Sequence, residues 1–426
     1  MREQRNASPF SNRAFRLLFG GSSVSIIGDQ FTLVALPWLV LKLTGDPAAL
    51  GLVLAVMALP RAAFMLVSGA MVDRMSPRRV LLSARLLNAA LTAVLAALVL
   101  AGAIHMWMLY LLALGIGLAT AFAYPAGSAI LPQLLEPGQL QTANSIFMGM
   151  RQLSMLIGPA LAGFVISAGA GVTPESGGDI RGTGLAFAID AGSFLFSVTS
   201  LLMIRIRSDR QPSPPAGGIL GNIVDGLRAL WADLPLRALI LYMAAVSVFV
   251  AGPLQVGLPL LADTRLEQGA TALGLLMTAN GTGMLLGSLA SGLIARLVRG
   301  RLGLLVLGLD GVAGLGLASL GFVHSTLTAT TVLVLIGTFA GSVQITIITW
   351  LQRRVPQALL GRTMSLVMFT FLGLAPVAAA VAGALVKLIS LTALFTGAGL
   401  SLTAIALFCL SQPSLRGISL QSASAA

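Results

Sequence analysis

The sequence predicts an all-α membrane protein, with twelve transmembrane helices in two pseudo-symmetric six-helix halves. Three observations lead there. Of 426 residues, 57% are hydrophobic and only 9% are charged, with a mean hydropathy of +0.94. Soluble proteins carry roughly 25% charged residues, so a water-soluble globule is excluded. The apolar residues form long continuous runs rather than alternating, which excludes an outer-membrane barrel. The second half of the chain also repeats patterns of the first.

Each run is long enough to cross a hydrocarbon core at ~20 residues per span. The first six are Phe15–Leu43, Ala48–Val72, Val80–Ala103, Met106–Ala126, Leu140–Ala168 and Leu185–Ile204. The last six are Leu236–Ala262, Ala272–Leu297, Leu302–Val323, Thr326–Leu351, Arg362–Leu388 and Leu391–Leu410. These define an N-terminal half (1–204), a linker (205–235), a C-terminal half (236–410) and a tail (411–426). The linker opens with Arg205, Arg207 and Arg210 and continues through Pro212-Ser-Pro-Pro215. Such a stretch is a loop. Ile219, Ile223, Leu227 and Leu230 then share one helical face, which reads as a short amphipathic helix on the membrane surface. The basic start leads into a long apolar segment without a small-residue cleavage site, so the first helix is expected to be retained.

The repeat is visible in several places. Ala49-Leu-Gly-Leu52 returns 223 residues later as Ala272-Leu-Gly-Leu275, and Gly69 as Gly292 at the same offset. Val34-Ala-Leu-Pro37 matches Val256-Gly-Leu-Pro259. Two parallel repeats are a common plan for membrane carriers.

The arginines fix an expected orientation. With the N-terminus inside, the inner segments hold Arg13, Arg16, Arg74, Arg78, Arg79, Arg205, Arg207, Arg210, Arg299, Arg301, Arg353, Arg354 and Arg416, among others. The outer segments hold only Lys42, Arg181, Arg265 and Lys387. The positive-inside rule then puts both termini in the cytoplasm of a multi-pass protein of the inner (plasma) membrane. The net charge of +12 is explained by this stacking on one side of a lipid bilayer, and no nucleic-acid partner is expected. The single cysteine, Cys409, allows no intramolecular disulfide.

Between the second and third runs stands Gly69-Ala-Met-Val-Asp73-Arg74-Met-Ser-Pro77-Arg78-Arg79. One acid and three arginines in so few residues cannot sit in hydrocarbon, and Pro77 marks a turn. The spacing resembles the signature loop of the major facilitator superfamily. Other stretches resemble its drug:proton antiporter group, which includes macrolide-efflux and enterobactin-exporter proteins. They are Gly28-Asp29-Gln30 with Ala35-Leu-Pro37-Trp38, Leu131-Pro-Gln-Leu-Leu-Glu136, Gly158-Pro159-Ala-Leu-Ala-Gly163, Leu273-Gly274 with Gly281, Gly283 and Gly287, and Trp350-Leu-Gln352-Arg-Arg-Val-Pro356. The resemblance implies the major facilitator fold and export by alternating access. It implies that Gly69, Asp73, Arg74, Arg78 and Arg79 form a gating loop, with Asp73 meeting the start of helix 11 at Gly361-Arg362-Thr363. The second copy of the loop departs from the pattern, with Arg296 where Asp73 stands.

Charges at membrane depth are costly and mark function. Asp29, Arg61 and Arg151 all fall near the bilayer midplane, and we expect Asp29 to pair with Arg61 or Arg151 as a proton-coupling group. A permanent structural pair is the alternative. Arg85, five residues into its run, is expected to snorkel to the surface. Asp190 and Asp310 are expected to make helix-packing hydrogen bonds. Gly158, Pro159, Gly163, Gly283 and Gly287 suit close helix packing, and the resemblance implies that helices 5 and 8 use them to face each other across the halves.

The resemblance implies a substrate cavity between helices 1, 4, 7 and 10. Its expected lining is Phe31, Trp38, Phe122, Tyr124, Met148, Phe249, Gln255, Asn280, Gln344 and Phe369. That set is mostly apolar or aromatic, which suits an amphiphilic small molecule better than a sugar. The expected protein is a monomeric, proton-coupled exporter with no cofactor. The alternatives are an importer or lysolipid flippase of the same fold, or a non-transporting sensor. With two histidines, one cysteine and no ligand spacing, neither an enzyme nor a metal site is expected.

Overall fold

The computed structural model describes residues 8–169, 178–204, 234–297, 302–355 and 357–412. The expected linker helix lies outside them. The first six helices are α1 (Arg13–Thr44), α2 (Pro47–Arg74), α3 (Pro77–Leu100), α4 (Met106–Leu134), α5 (Pro137–Gly169) and α6 (Gly178–Leu202). Next comes α7, built from Leu234–Val246 and Gly252–Thr264 with a π-helical turn, Ser247–Ala251, between them. The last five are α8 (Gly269–Leu297), α9 (Leu302–Leu320), α10 (Thr326–Arg354), α11 (Gln357–Val386) and α12 (Leu391–Ser411). Among the described residues, eleven helices are long and apolar enough to cross a membrane, and Gly373–Val386 of α11 is a shorter apolar stretch. The fold is that of an all-helical, multi-pass membrane protein.

Two boundaries move from the sequence reading for a physical reason. Pro77 is the first residue of α3, not part of a turn. At that position its missing N–H costs no hydrogen bond. Helix α4 runs through Pro125 and Pro132 to Leu134, well past the expected end at Ala126. Membrane helices tolerate such prolines where neighbours satisfy the freed carbonyls.

The contacts divide the chain into two units, Met1–Gly45 with Val53–Pro215, and Asp46–Leu52 with Ala216–Ala426. In the first, α1 packs along α6 and α5, and α3 packs on α6 and α4. The start of α1 is capped by Asn12, whose Oδ1 accepts from Ala14 N at 2.8 Å. Its Nδ2 donates to Leu134 O at 2.6 Å and so ties α1 to the end of α4. Beneath lies a core of Phe15, Leu18, Leu81, Ile130 and Leu201, with Phe15 stacked beside Phe19 and edge-on to Phe147. Arg78 donates to Leu201 O (3.1 Å) and Leu202 O (3.2 Å). A cation on the last carbonyls of a helix satisfies orphan acceptors and complements the dipole. Helix α1 ends at Gly45, whose φ of 61° is the left-handed cap that glycine favours.

In the second unit, α8 packs most extensively on α10, α9 on α12, and α11 on α7. Gly283 and Gly287 lie against the backbone of Val334 and Thr338, while Gly337 and Gly341 lie against Asn280 and Met284. This reciprocal glycine seam corrects the expectation that the α8 glycines face the other half. They let α10 approach instead, and Ser342 Oγ closes the seam by donating to Gly287 O at 2.9 Å. Gly158 likewise meets Gln30 of α1, within its own unit. At the opposite end, Arg265 donates to Gly321 O (2.6 Å) and Thr392 Oγ1 (2.8 Å), fastening the ends of α9 and α12. The segment Asp46–Leu52 joins this unit through Gly51, where an added Cβ would meet Ala379 O at 2.6 Å. Asp46 Oδ2 pairs with Lys387 Nζ at 2.6 Å.

Candidate functional site

Asp29 sits halfway along the 32-residue α1 and is exposed. The residue before it, Gly28, marks the crossing of α1 and α6. Asp190 on α6 is 1% exposed. Thr32 Oγ1 donates to its Oδ2 at 2.5 Å, and Ser193 Oγ donates to its Oδ1 at 3.3 Å. From α3, Arg85 reaches between the two helices. Its Nη2 donates to Ser22 Oγ at 3.1 Å, and its Nη1 donates to Ser197 Oγ. Arg85 therefore does not snorkel. Helix α3 starts three residues earlier than expected, so Arg85 lies deeper, and two serines receive its guanidinium there.

Asp29 lies within Coulombic range of Arg85, Arg151 and Arg61, and Asp190 within range of Asp29. The expected trio of Asp29, Arg61 and Arg151 is thus part of a larger cluster of three guanidiniums and two carboxyls. Among the described residues, no direct ion pair joins Asp29 to an arginine. Arg151 is itself exposed, with Cζ 5.1 Å from the centre of the Tyr124 ring. A charge at the bilayer centre costs at least ~2.5–3.5 kcal/mol, so a face that presents Asp29 and Arg151 is unsuited to lipid. It suits an aqueous path.

The expected lining residues divide. Tyr124, Met148, Gln255 and Gln344 are exposed, while Phe122, Phe249 and Asn280 are half-buried. Phe31 (6% exposed) and Trp38 (1%) are core residues here, with Lys42 Nζ 4.9 Å from the centre of the Trp38 ring. They occupy α1 positions covered by neighbouring helices, which an apolar pattern on α1 alone does not distinguish from an open face. For Gly69, Asp73, Arg74, Phe369 and Gly361 to Thr363, the structure describes only the helical backbone. Arg79 is exposed, and Arg78 serves as the α6 cap described above.

In the second unit Asp310 of α9 is 4% exposed and accepts from Tyr242 Oη at 2.6 Å. Ala251, which matches Asp29 in the repeat, lies in the π-helical turn of α7.

Residues 18–380 match the sequence profile of the Major Facilitator Superfamily. The chain belongs to this superfamily. Its members named below are transporters, not enzymes. The chain is 26% identical over 405 residues to a multidrug efflux pump, Tap, of Mycolicibacterium fortuitum, covering 93% of this chain and 94% of that one. It is 27% identical over 355 residues to the enterobactin exporter EntS of Escherichia coli, covering 82% and 79%. The crystal structure of the nucleoside transporter NupG superposes with a TM-score of 0.72 at 15% identity, covering 94% of this chain and 99% of that one. That likeness shows the superfamily's fold. The efflux relatives agree with the resemblance read from the sequence.

Proposed function

We propose that this protein exports an amphiphilic small molecule in exchange for protons. The carrying observation is Asp29, an exposed carboxylate halfway through a membrane helix with three arginines in electrostatic reach. A proton on Asp29 removes one charge from that cluster and so biases one access state over the other. The second half offers Ala251, not an acid, at the matching position, so the first half carries the coupling carboxylate in this reading. Substrate contacts come from exposed positions in each unit, Tyr124 and Met148 in the first and Gln255 and Gln344 in the second, whose aromatic, thioether and amide groups suit an amphiphile. The names of the efflux relatives favour export.

In this reading a monomer lies in the inner (plasma) membrane with both termini in the cytoplasm, as the arginine-rich segments require. A cytoplasmic reporter is then active when fused after Arg210 or Arg416 and silent after Pro174. The signature loop that carries Asp73 acts as the inner gate, and Asp73→Asn shifts the population toward the inward-facing state. The deciding assay is uptake of a panel of amphiphilic dyes and macrolides into inverted vesicles, with and without a pH gradient. Accumulation that ignores the gradient removes proton coupling from this reading.

A further inference from the structure

The cluster around Asp29 has an electrostatic peculiarity. Guanidiniums oppose protonation of a nearby carboxylate, and a second carboxylate favours it. Asp29 has both kinds of neighbour: Arg85 from α3, Arg151 from α5, Arg61 from α2, and Asp190 from α6. Asp190 adds a second carboxyl from the buried side of the cluster.

The local backbone brings α1 close to Asp190 on either side of Asp29, at Gly28 and at Thr32. A Cβ at Gly28 would meet Asp190 Oδ1 at 2.7 Å and Ser193 Cβ at 2.6 Å, so only glycine permits this crossing next to Asp29. Gly21 does the same one layer away, where a Cβ would meet Ser200 Cβ at 2.8 Å. Thr32, one turn beyond Asp29 on α1, donates to Asp190 and fixes its carboxyl toward α1. Arg85 is anchored to both α1 and α6 through Ser22 and Ser197. We propose that Asp190 is the second carboxyl of the proton-handling site, and that Asp29 and Asp190 titrate as one coupled pair across the α1–α6 crossing. Asp29 is the exposed member, which exchanges protons with water. Asp190 is the buried member, a positioning residue that sets how readily Asp29 does so. This rests on the reading of Asp29 as the coupling carboxylate.

The test is pH-titrated infrared difference spectroscopy of the full chain in liposomes, which reads the protonated carboxyl stretch with the proton as the only ligand. Asp310→Asn identifies the band of the other buried acid among the described residues. Asp29→Asn and Asp190→Asn should each delete one band and move the midpoint of the other to lower pH, by about one unit or more, as interacting sites do. Thr32→Val keeps both carboxyls and removes one donor to Asp190. It should shift both titrations, and it serves if Asp190→Asn does not fold. If each deletion leaves the other midpoint in place, or Thr32→Val moves only the Asp190 band, the pair does not exist. The two readings fail separately, because gradient-driven transport by Asp29→Asn protein removes the coupling role whatever the infrared midpoints do.

Discussion

The seam between α8 and α10 gives a sharp test of how the second unit is held together. Adding one methyl group at Gly287 puts a Cβ 2.7 Å from Thr338 C and 2.9 Å from Thr338 Cα, with the carbonyl oxygen closer still. All three atoms are backbone, so no side chain can rotate away. Nor can α10 shift easily, because Gly341 and Gly337 hold it against Met284 and Asn280, about one and two turns before Gly287 on α8. Overpacking of this kind costs ~1–3 kcal/mol. Five residues further along the same helix, Gly292 has nothing within 4 Å of an added Cβ. Alanine there should instead gain up to ~1 kcal/mol from helix propensity. At ~2–4 °C per kcal/mol for a unit of this size, the two variants should separate by several degrees in Tm. Thermal unfolding in detergent, followed by tryptophan fluorescence, measures it. Trp350 on α10 is buried in the core of this unit and reports directly. If Gly287→Ala is as stable as Gly292→Ala, the seam is not the close contact described.

Two further perturbations follow from particular contacts. Tyr242→Phe leaves Asp310 buried without its 2.6 Å donor and should cost ~1.5–3 kcal/mol in thermal stability, while a cost under a few tenths would remove the hydrogen bond from the account. For Asp46, burial pushes the carboxyl up, but the hydrogen bonds from Lys387 and the Ala48 N–H outweigh it and hold it below the ordinary value of 3.8. A depressed carboxylate contributes stability above its unfolded value and loses it as pH falls through its folded one. The Asp46–Lys387 pair should therefore persist down to pH ~4 and fade below it. Both side chains are partly exposed, at 30% and 52%, so Lys387→Gln should cost at most ~1 kcal/mol and nothing in high salt. A cost that survives 1 M salt would contradict an exposed ion pair.

Hydropathy made most of the fold legible, because each span must satisfy its own backbone bonds inside lipid. Two of the boundaries that moved did so at Pro77 and Pro132, where a single-sequence reading takes proline as a break. The π-helical turn in α7 left no such mark, since Ser247-Val-Phe-Val-Ala251 reads as any apolar helix. At the site, charge at mid-depth was enough to single out Asp29, Arg61 and Arg151. Arg85 was misjudged because its partners stand on other helices. A signal for it was present all the same. Ser22 and Ser25 on α1, and Ser193, Ser197 and Ser200 on α6, recur at helical spacing and are all buried. Two matching hydroxyl stripes on apolar helices announce a polar contact between them. The use of each glycine was not legible, because lacking a Cβ permits close approach without naming the partner.

The central claim is that Asp29 couples transport to protons, and proteoliposome transport with an imposed pH gradient tests it most directly. Asp29→Asn mimics the protonated acid without stranding the neighbouring arginines beside a void. The account predicts that this protein loses gradient-driven accumulation of a transported dye while its downhill exchange stays measurable. Full accumulation driven by the gradient in Asp29→Asn protein would contradict it.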